Sequence, residues 1–261
     1  MLNLDQIQNY FPPHISENPA HKKYIVKEYL QIMILNFLAT TKFVKHIAFI
    51  GGTNLRLVKG IDRFSEDLDF DCKNFDTDDF AEMSQSVLAF LKRAGIRAES
   101  REKQSEKLTA FRSRIYFPEL LFELGLSAYK EERFLIKLES QNQGFEYTPQ
   151  MANISSCGYF VSFPVPPDDV LCAMKLSALL SRAKGRDFYD AIFLLSQTKP
   201  NYDFLKKKQA ISNLTELKIK LLETLEKINI EHKSKDFEHL LFNNQNKNTI
   251  LKFREFIEKL T

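Results

Sequence analysis

The sequence predicts an α+β fold, a mixed β-sheet core followed by a C-terminal helical lobe, on three observations. A short apolar run, His46 to Ile50, is stopped by Gly51-Gly52 and followed by helical spacing from Thr53 to Val58. Leu68 to Cys72 alternates with the period of two that belongs to a strand. Beyond Asp168 every apolar pattern has the helical period.

Taken in order, a polar, proline-bearing start leads into Lys22 to Thr40. Tyr24, Ile25, Tyr29, Ile32, Met33 and Phe37 recur there as on an amphipathic helix, expected to pack behind the functional residues. Strand, tight turn and helix follow over 46–58, with Gly60 as the stop, then the strand Leu68 to Cys72. Asp79 to Arg93 reads as a helix through Phe80, Met83, Val87, Leu88 and Leu91, ended by Gly95. Leu108 to Phe117, Leu120 to Ala128 and Phe134 to Glu139 read as three strands completing the sheet. Val165-Pro166-Pro167 restricts the backbone and removes donors, and Asp168 is a natural helix cap, so a boundary is expected there: a core over 1–165 and a helical domain over 166–261. Helices are expected over Val170 to Leu180, Phe188 to Leu195, Leu214 to Ile228 and Ile250 to Leu260.

Composition bounds the function. With 261 residues, 44% of them hydrophobic, the chain can build a real core. The net charge of +3, from 37 basic and 34 acidic residues, is too nearly balanced to indicate a nucleic-acid partner by itself. Cys72, Cys157 and Cys172 lack paired or Cys-x-x-Cys spacing, which fits a reducing cytoplasm and supports neither disulfides nor zinc. The N-terminus lacks a basic segment followed by an apolar run, so neither export nor a membrane span is expected.

The chemistry concentrates between residues 51 and 71. Gly51-Gly52, between strand and helix, lets the chain turn tightly and aims amide hydrogens where phosphate oxygens bind favourably, and Thr53 could add a hydroxyl donor. Diglycine also occurs in plain turns, and this one is neither Gly-x-Gly-x-x-Gly nor a Walker loop. Asp67, Asp69 and Asp71 would share one strand face, with Leu68 and Phe70 in the core. Stacked like charges repel, so such a row points to a divalent cation, Mg²⁺ being the usual partner of carboxylates and phosphates. An EF-hand is excluded because Cys72 stands where its loop needs glycine.

Glu139, on the same face as Leu135 and Lys137, is the candidate for a third carboxylate; an exposed strand-end glutamate is the alternative. Arg56 and Arg63 flank the turn and the acidic strand, where they could contact phosphate or pair with carboxylates. Lys175 and Arg182 lie two turns apart on one face of an otherwise apolar helix, and a lysine there needs a partner or a phosphate. Asp187 and Asp190 open the next helix, where carboxylates also serve as caps.

Three blocks occur together and in order: Gly51-Gly-Thr-Asn-Leu-Arg56, Arg63-Phe-Ser-Glu-Asp-Leu-Asp-Phe70, and Lys175 through Arg186-Asp-Phe-Tyr-Asp190. They resemble the AbiEii/AbiGii toxin family of nucleotidyltransferases, which looks like the polymerase-beta-type superfamily and whose members are typically toxins of type IV toxin–antitoxin or phage-defence systems. The resemblance implies an NTP substrate, Mg²⁺ and an antitoxin encoded nearby. Carried over by position, it implies that Gly51, Gly52 and Thr53 hold the triphosphate and that Asp67 and Asp69 hold metal. It also implies that Lys175 faces the nucleotide phosphates and that Asp187 completes or orients the site. Asp71 goes beyond the family's usual Asp-x-Asp pair. Some related toxins add nucleotides to tRNA, so the expectation is an enzyme transferring NMP from an NTP to RNA, at a tRNA 3′ end. The alternatives are nucleotidylation of a protein hydroxyl, or a catalytically silent binding module in a defence complex.

Overall fold

The computed structural model describes residues 2–100 and 111–261. It divides into two compact units, the first comprising Met1–Gly60, Phe64–Gly144 and Pro149–Val165. That unit contains α1 (Leu4–Gln8), α2 (Pro13–Ser16), α3 (Lys22–Leu38), β1 (Ile47–Ile50), α4 (Gly51–Leu57), β2 (Leu68–Cys72) and α5 (Thr77–Arg93). It continues with β3 (Glu99–Ser100), β4 (Phe111–Tyr116), α6 (Leu120–Glu123), β5 (Leu135–Gln141), β6 (Gln150–Ser156) and β7 (Tyr159–Val165).

Five strands form a mixed sheet in the order β1-β2-β5-β4-β3, with β2 and β5 parallel and the other neighbours antiparallel. Strand alternation sorts its two faces. Register pairs Phe49 with Phe70, Leu68 with Leu138 and Ile115 with Ile136, all buried, on the core side. The opposite side carries Asp69, Lys137, Glu139, Arg112 and Arg114.

β6 and β7 form a separate hairpin that the sequence reading did not anticipate. Cys157 and Gly158 turn it with φ of +51° and +77°, the positive pair a two-residue hairpin loop requires. Its inward residues Val161, Phe163 and Val165 join the core, and Phe163 meets Phe49 and Phe70 at centroid distances of 6.1 and 5.9 Å.

Several expectations need correction. Leu120 to Ala128 is no strand: a short helix begins after Glu119, which sits at φ +61°, and Gly125 turns the chain at φ +69°. Of Leu108 to Phe117, residues 108–110 lie outside the described residues, and the rest contains β4. α3 is buried on several faces rather than amphipathic, and it buries Glu28 and Gln31 along with its aliphatic residues. α5 starts two residues before Asp79, because Asp76 accepts the amides of Asp78 and Asp79 while the Asp79 side chain accepts the amide of Asp76.

The second unit comprises Ile61–Arg63, Phe145–Thr148 and Pro166–Thr261. Its helices are α7 (Asp168–Arg182), α8 (Gly185–Leu195), α9 (Tyr202–Gln209), α10 (Leu214–Glu226), α11 (Ile230–Lys235) and α12 (Phe253–Lys259), the last preceded by a 3-10 stretch, Asn244–Lys252. Asn201, Asn213 and Asn229 start α9, α10 and α11 by accepting helix amides. Asp168 is the first residue of α7 rather than its cap. Gly185 lets α8 meet α11 closely, since a Cβ there would lie 1.9 Å from the carbonyl oxygen of Lys233.

Phe163 carries the hairpin's attachment to the sheet. Phe163→Ala is expected to destabilise the protein by about 3–5 kcal/mol, as large core deletions do, measured by urea unfolding. A loss below about 1 kcal/mol would show that the hairpin is not anchored there.

Candidate active site

The acidic strand meets the diglycine at one point of very close approach. β1 pairs with β2 so that Ile50 faces Asp69, and the next residue, Gly51, opens α4 with φ +81°. A Cβ at residue 51 would lie 2.0 Å from Asp69 Oδ2 and 2.6 Å from Asp69 Cβ. Only glycine satisfies both the backbone angle and the contact. The Asp69 carboxylate therefore stands at the head of α4.

Polar contacts hold Asp67 beside it. Thr53 is buried and donates its hydroxyl to the Asp67 carbonyl. Gln31 Nε2 donates to the carbonyl of Ser65 at 3.2 Å and reaches Thr53 Oγ1 at 3.5 Å. Asn54 Nδ2 donates to the Phe49 carbonyl at 2.7 Å, fixing the exit of β1. Thr53 thus braces the acidic strand, a use of its hydroxyl that the sequence reading had assigned to phosphate.

The remaining acids of this unit divide by environment. Glu139 faces Asp69 across the parallel β2–β5 pair and forms an ion pair with Arg112 at 3.4 Å. Asp67 Oδ2 accepts from Lys137 Nζ at 3.1 Å. Asp71, only 2% exposed, accepts the backbone amide of Gln143 at 2.8 Å, so it ties the chain after β5 to β2. Arg56 pairs in a two-pronged fashion with buried Glu28, at 2.9 and 3.1 Å, and burial pushes the Glu28 carboxyl above its ordinary pKa against the pull of Arg56.

The second unit has its own charge cluster, centred on Asp190. Arg63 grips that carboxylate with Nε and Nη2, both at 2.7 Å, and Lys175 Nζ adds a third bond at 3.0 Å; all three residues are buried. Burial alone would raise the Asp190 pKa, but Arg63 and Lys175 together outweigh it and hold the carboxyl below its ordinary range. Asp187 accepts from Arg182 at 2.9 and 2.7 Å and from the Lys184 amide at 3.2 Å, capping α8. Sequence reasoning weighed Asp190 as a cap; the cap is Asp187, and Asp190 is the ionic hub. Of the two roles left open for Arg56 and Arg63, both are seen pairing with buried carboxylates, though with Glu28 and Asp190 rather than the acidic strand.

Asp67 and Asp69 suit a hard divalent cation: two oxygen-only ligands two residues apart, beside amides at a helix start. Among the described residues no three His, Cys, Asp or Glu side chains converge into a closed metal cluster. Two carboxylates on one strand suit an ion completed by water and substrate phosphates.

A mixed sheet that presents an Asp-x-Asp pair against a diglycine helix start, together with a set of C-terminal helices, defines the nucleotidyltransferase class. The family model of the AbiEii nucleotidyltransferase toxins of type IV toxin–antitoxin systems matches residues 34–259, and the chain belongs to that family. Among solved structures it resembles MenT4, a nucleotidyltransferase toxin of Mycobacterium tuberculosis, with a TM-score of 0.66 at 17% identity, covering 100% of this chain and 91% of that one. It also resembles JHP933 from Helicobacter pylori, with a TM-score of 0.55 at 20% identity and 91% of each chain covered. No curated protein sequence matches it.

The Asp190 cluster yields a stability test. Asp190→Asn leaves two buried cations without their counter-charge and is expected to lower unfolding free energy by about 3–5 kcal/mol. Because the folded pKa is depressed, the wild-type contribution is full above the unfolded carboxylate value of about 3.9 and is lost as pH falls through the folded value. The stability difference between the two proteins should therefore shrink in acid. A gap that stays constant from neutral pH to the lowest pH at which both fold would contradict this role.

Proposed function

We propose that this nucleotidyltransferase is Mg²⁺-dependent and transfers NMP from an NTP to an RNA acceptor, at a tRNA 3′ end. The observation that supports the reading most is the seat of the Asp69 carboxylate over Gly51, with Asp67 two residues before it. Asp67 and Asp69 would hold the metal, which when bound offsets the charge developing on the reacting phosphates. Gly51 and Gly52 would meet the triphosphate through their amides at the start of α4. The acceptor 3′-hydroxyl oxygen forms the bond to the α-phosphorus, its proton passes to water, and the bond to the β-phosphate oxygen breaks to release pyrophosphate.

The case for a polyanionic acceptor rests on Arg112 and Arg114. Both are exposed on the sheet face that carries Asp69 and Glu139, where cations attract phosphodiester backbone. Glu139, which faces Asp69 across the β2–β5 pair, is the candidate third carboxylate, and the family reading has Lys175 face the nucleotide phosphates and Asp187 complete or orient the site. An antitoxin partner, a place in phage defence and action in the cytoplasm follow from the family reading. No helix among the described residues is long and apolar enough to cross a membrane.

Incubation with labelled NTPs and either total RNA or total protein, reading acid-insoluble label, separates RNA from protein acceptors; label in protein alone would refute the RNA reading. Asp67→Ala and Asp69→Ala should each reduce transfer by at least about 10²-fold while leaving the fold intact, because each removes charge stabilisation at the reacting phosphate. Turnover unaltered in either purified variant would refute the metal assignment. Expression of the wild-type chain without an antitoxin should slow bacterial growth, whereas Asp69→Ala should not. Equal tolerance of both at matched protein levels would remove the toxin role.

A further inference from the structure

The cation now on Asp67 belongs to the protein itself. Lys137 Nζ lies 3.1 Å from Asp67 Oδ2, with the two side chains 36% and 20% exposed. Its place is set by register: Leu68 pairs with Leu138, so the residues just before them, Asp67 and Lys137, stand side by side. Asp69 and Glu139 form the next pair on that face, two like charges directly opposite each other, an arrangement that is destabilising unless compensated. Arg112, at 3.4 Å from Glu139, offsets part of that repulsion, and Lys137 pairs with Asp67 on the same face.

We propose that Lys137 is a positioning residue that occupies Asp67 in place of the metal and gives it up when metal and triphosphate arrive. This rests on the assignment of Asp67 and Asp69 as metal ligands. A lone pair of Asp67 Oδ2 directed at an ammonium cannot also be given to a divalent ion, and two cations on one carboxylate repel each other, so each weakens the other's hold on Asp67. Lysine suits the exchange. Its ammonium is a point charge with three rotatable donors on a flexible four-carbon stem, and its side chain is more than a third exposed. The phosphates that arrive with the metal offer the released ammonium a new anionic partner, so the positive charge stays at the site.

The test measures binding without turnover. Mn²⁺ affinity of the full chain, read by electron paramagnetic resonance of the free ion, should tighten by about threefold or more in Lys137→Met, because a competing charge is gone. Lys137→Arg, which keeps the charge, should bind Mn²⁺ no more tightly than wild type. With Mn²⁺ saturating, Lys137→Met should hold a non-hydrolysable NTP analogue about threefold or more weakly, the reverse of its effect on metal alone. A merely structural lysine would move the melting temperature but not these two affinities in opposite directions. Lys137→Gln serves as a second charge-free variant if Lys137→Met does not fold. Mn²⁺ affinity equal to or weaker than wild type in a folded charge-free variant overturns the proposal and leaves the metal assignment standing. If wild type, Lys137→Met and Asp67→Ala all fail to bind Mn²⁺, the metal assignment itself falls and takes the proposal with it.

Discussion

The missing side chain at residue 51 is the constraint on which the proposed site depends. Asp69 Oδ2 fills the volume that any Cβ at that position would take, 2.0 Å from where it would lie. One glycine thereby brings a strand carboxylate to the first turn of a helix. The surrounding contacts serve that junction: Asn54 fixes the end of β1, Thr53 holds the Asp67 carbonyl, and Gln31 reaches from the buried helix α3 to both Thr53 and Ser65. Two buried polar residues on α3, costly in isolation, are satisfied because Gln31 meets this segment and Glu28 meets Arg56.

Charge is handled differently at the proposed site and at the Asp190 cluster. On the sheet face of the proposed site, Asp67 and Glu139 meet half-exposed cations, Lys137 and Arg112, over single contacts of 3.1 and 3.4 Å. Such pairs are weak and exchangeable. In the helical unit Asp190 is enclosed by three bonds from Arg63 and Lys175 at 3.0 Å or less. A carboxylate held in that way is a fixture of the unit, since removing either cation leaves buried charge behind. Asp67, one of the two carboxylates proposed to hold metal, is thus held by an exchangeable pair.

What the sequence made legible was local. The strand Leu68 to Cys72 was readable because period-two alternation and a buried apolar face coincide, and α4 because glycines punctuate its start. The helical character of the second unit was readable from periodicity, whereas α9 and α11, eight and six residues long, carry too few turns to show it. Leu120 to Ala128 misled because a short apolar run reads alike as strand or buried helix. The β6–β7 hairpin was hidden behind Cys157-Gly158, which is not one of the usual Asn-Gly or Asp-Gly turns, and behind Pro164, which argues against a central strand. Partners of charged residues were the least legible. Arg63 and Asp190 are 127 positions apart, and no local pattern joins them. Asp190's absence from the cap could have been suspected, since Asp187 already stands three residues after Lys184, where a cap acceptor belongs.

The central claim, that residue 51 must be glycine because Asp69 needs its space, is tested by comparing Gly51→Ala with Gly60→Ala. Both glycines have positive φ, +81° and +76°, so both substitutions carry similar backbone strain, but nothing lies within 4 Å of a Cβ at residue 60. Nucleotide transfer measured on the two folded variants should fall by about 10²-fold or more in Gly51→Ala, as displacement of a reacting-site group by about 1 Å commonly does, and by little in Gly60→Ala. Equal activity in the two would contradict the account.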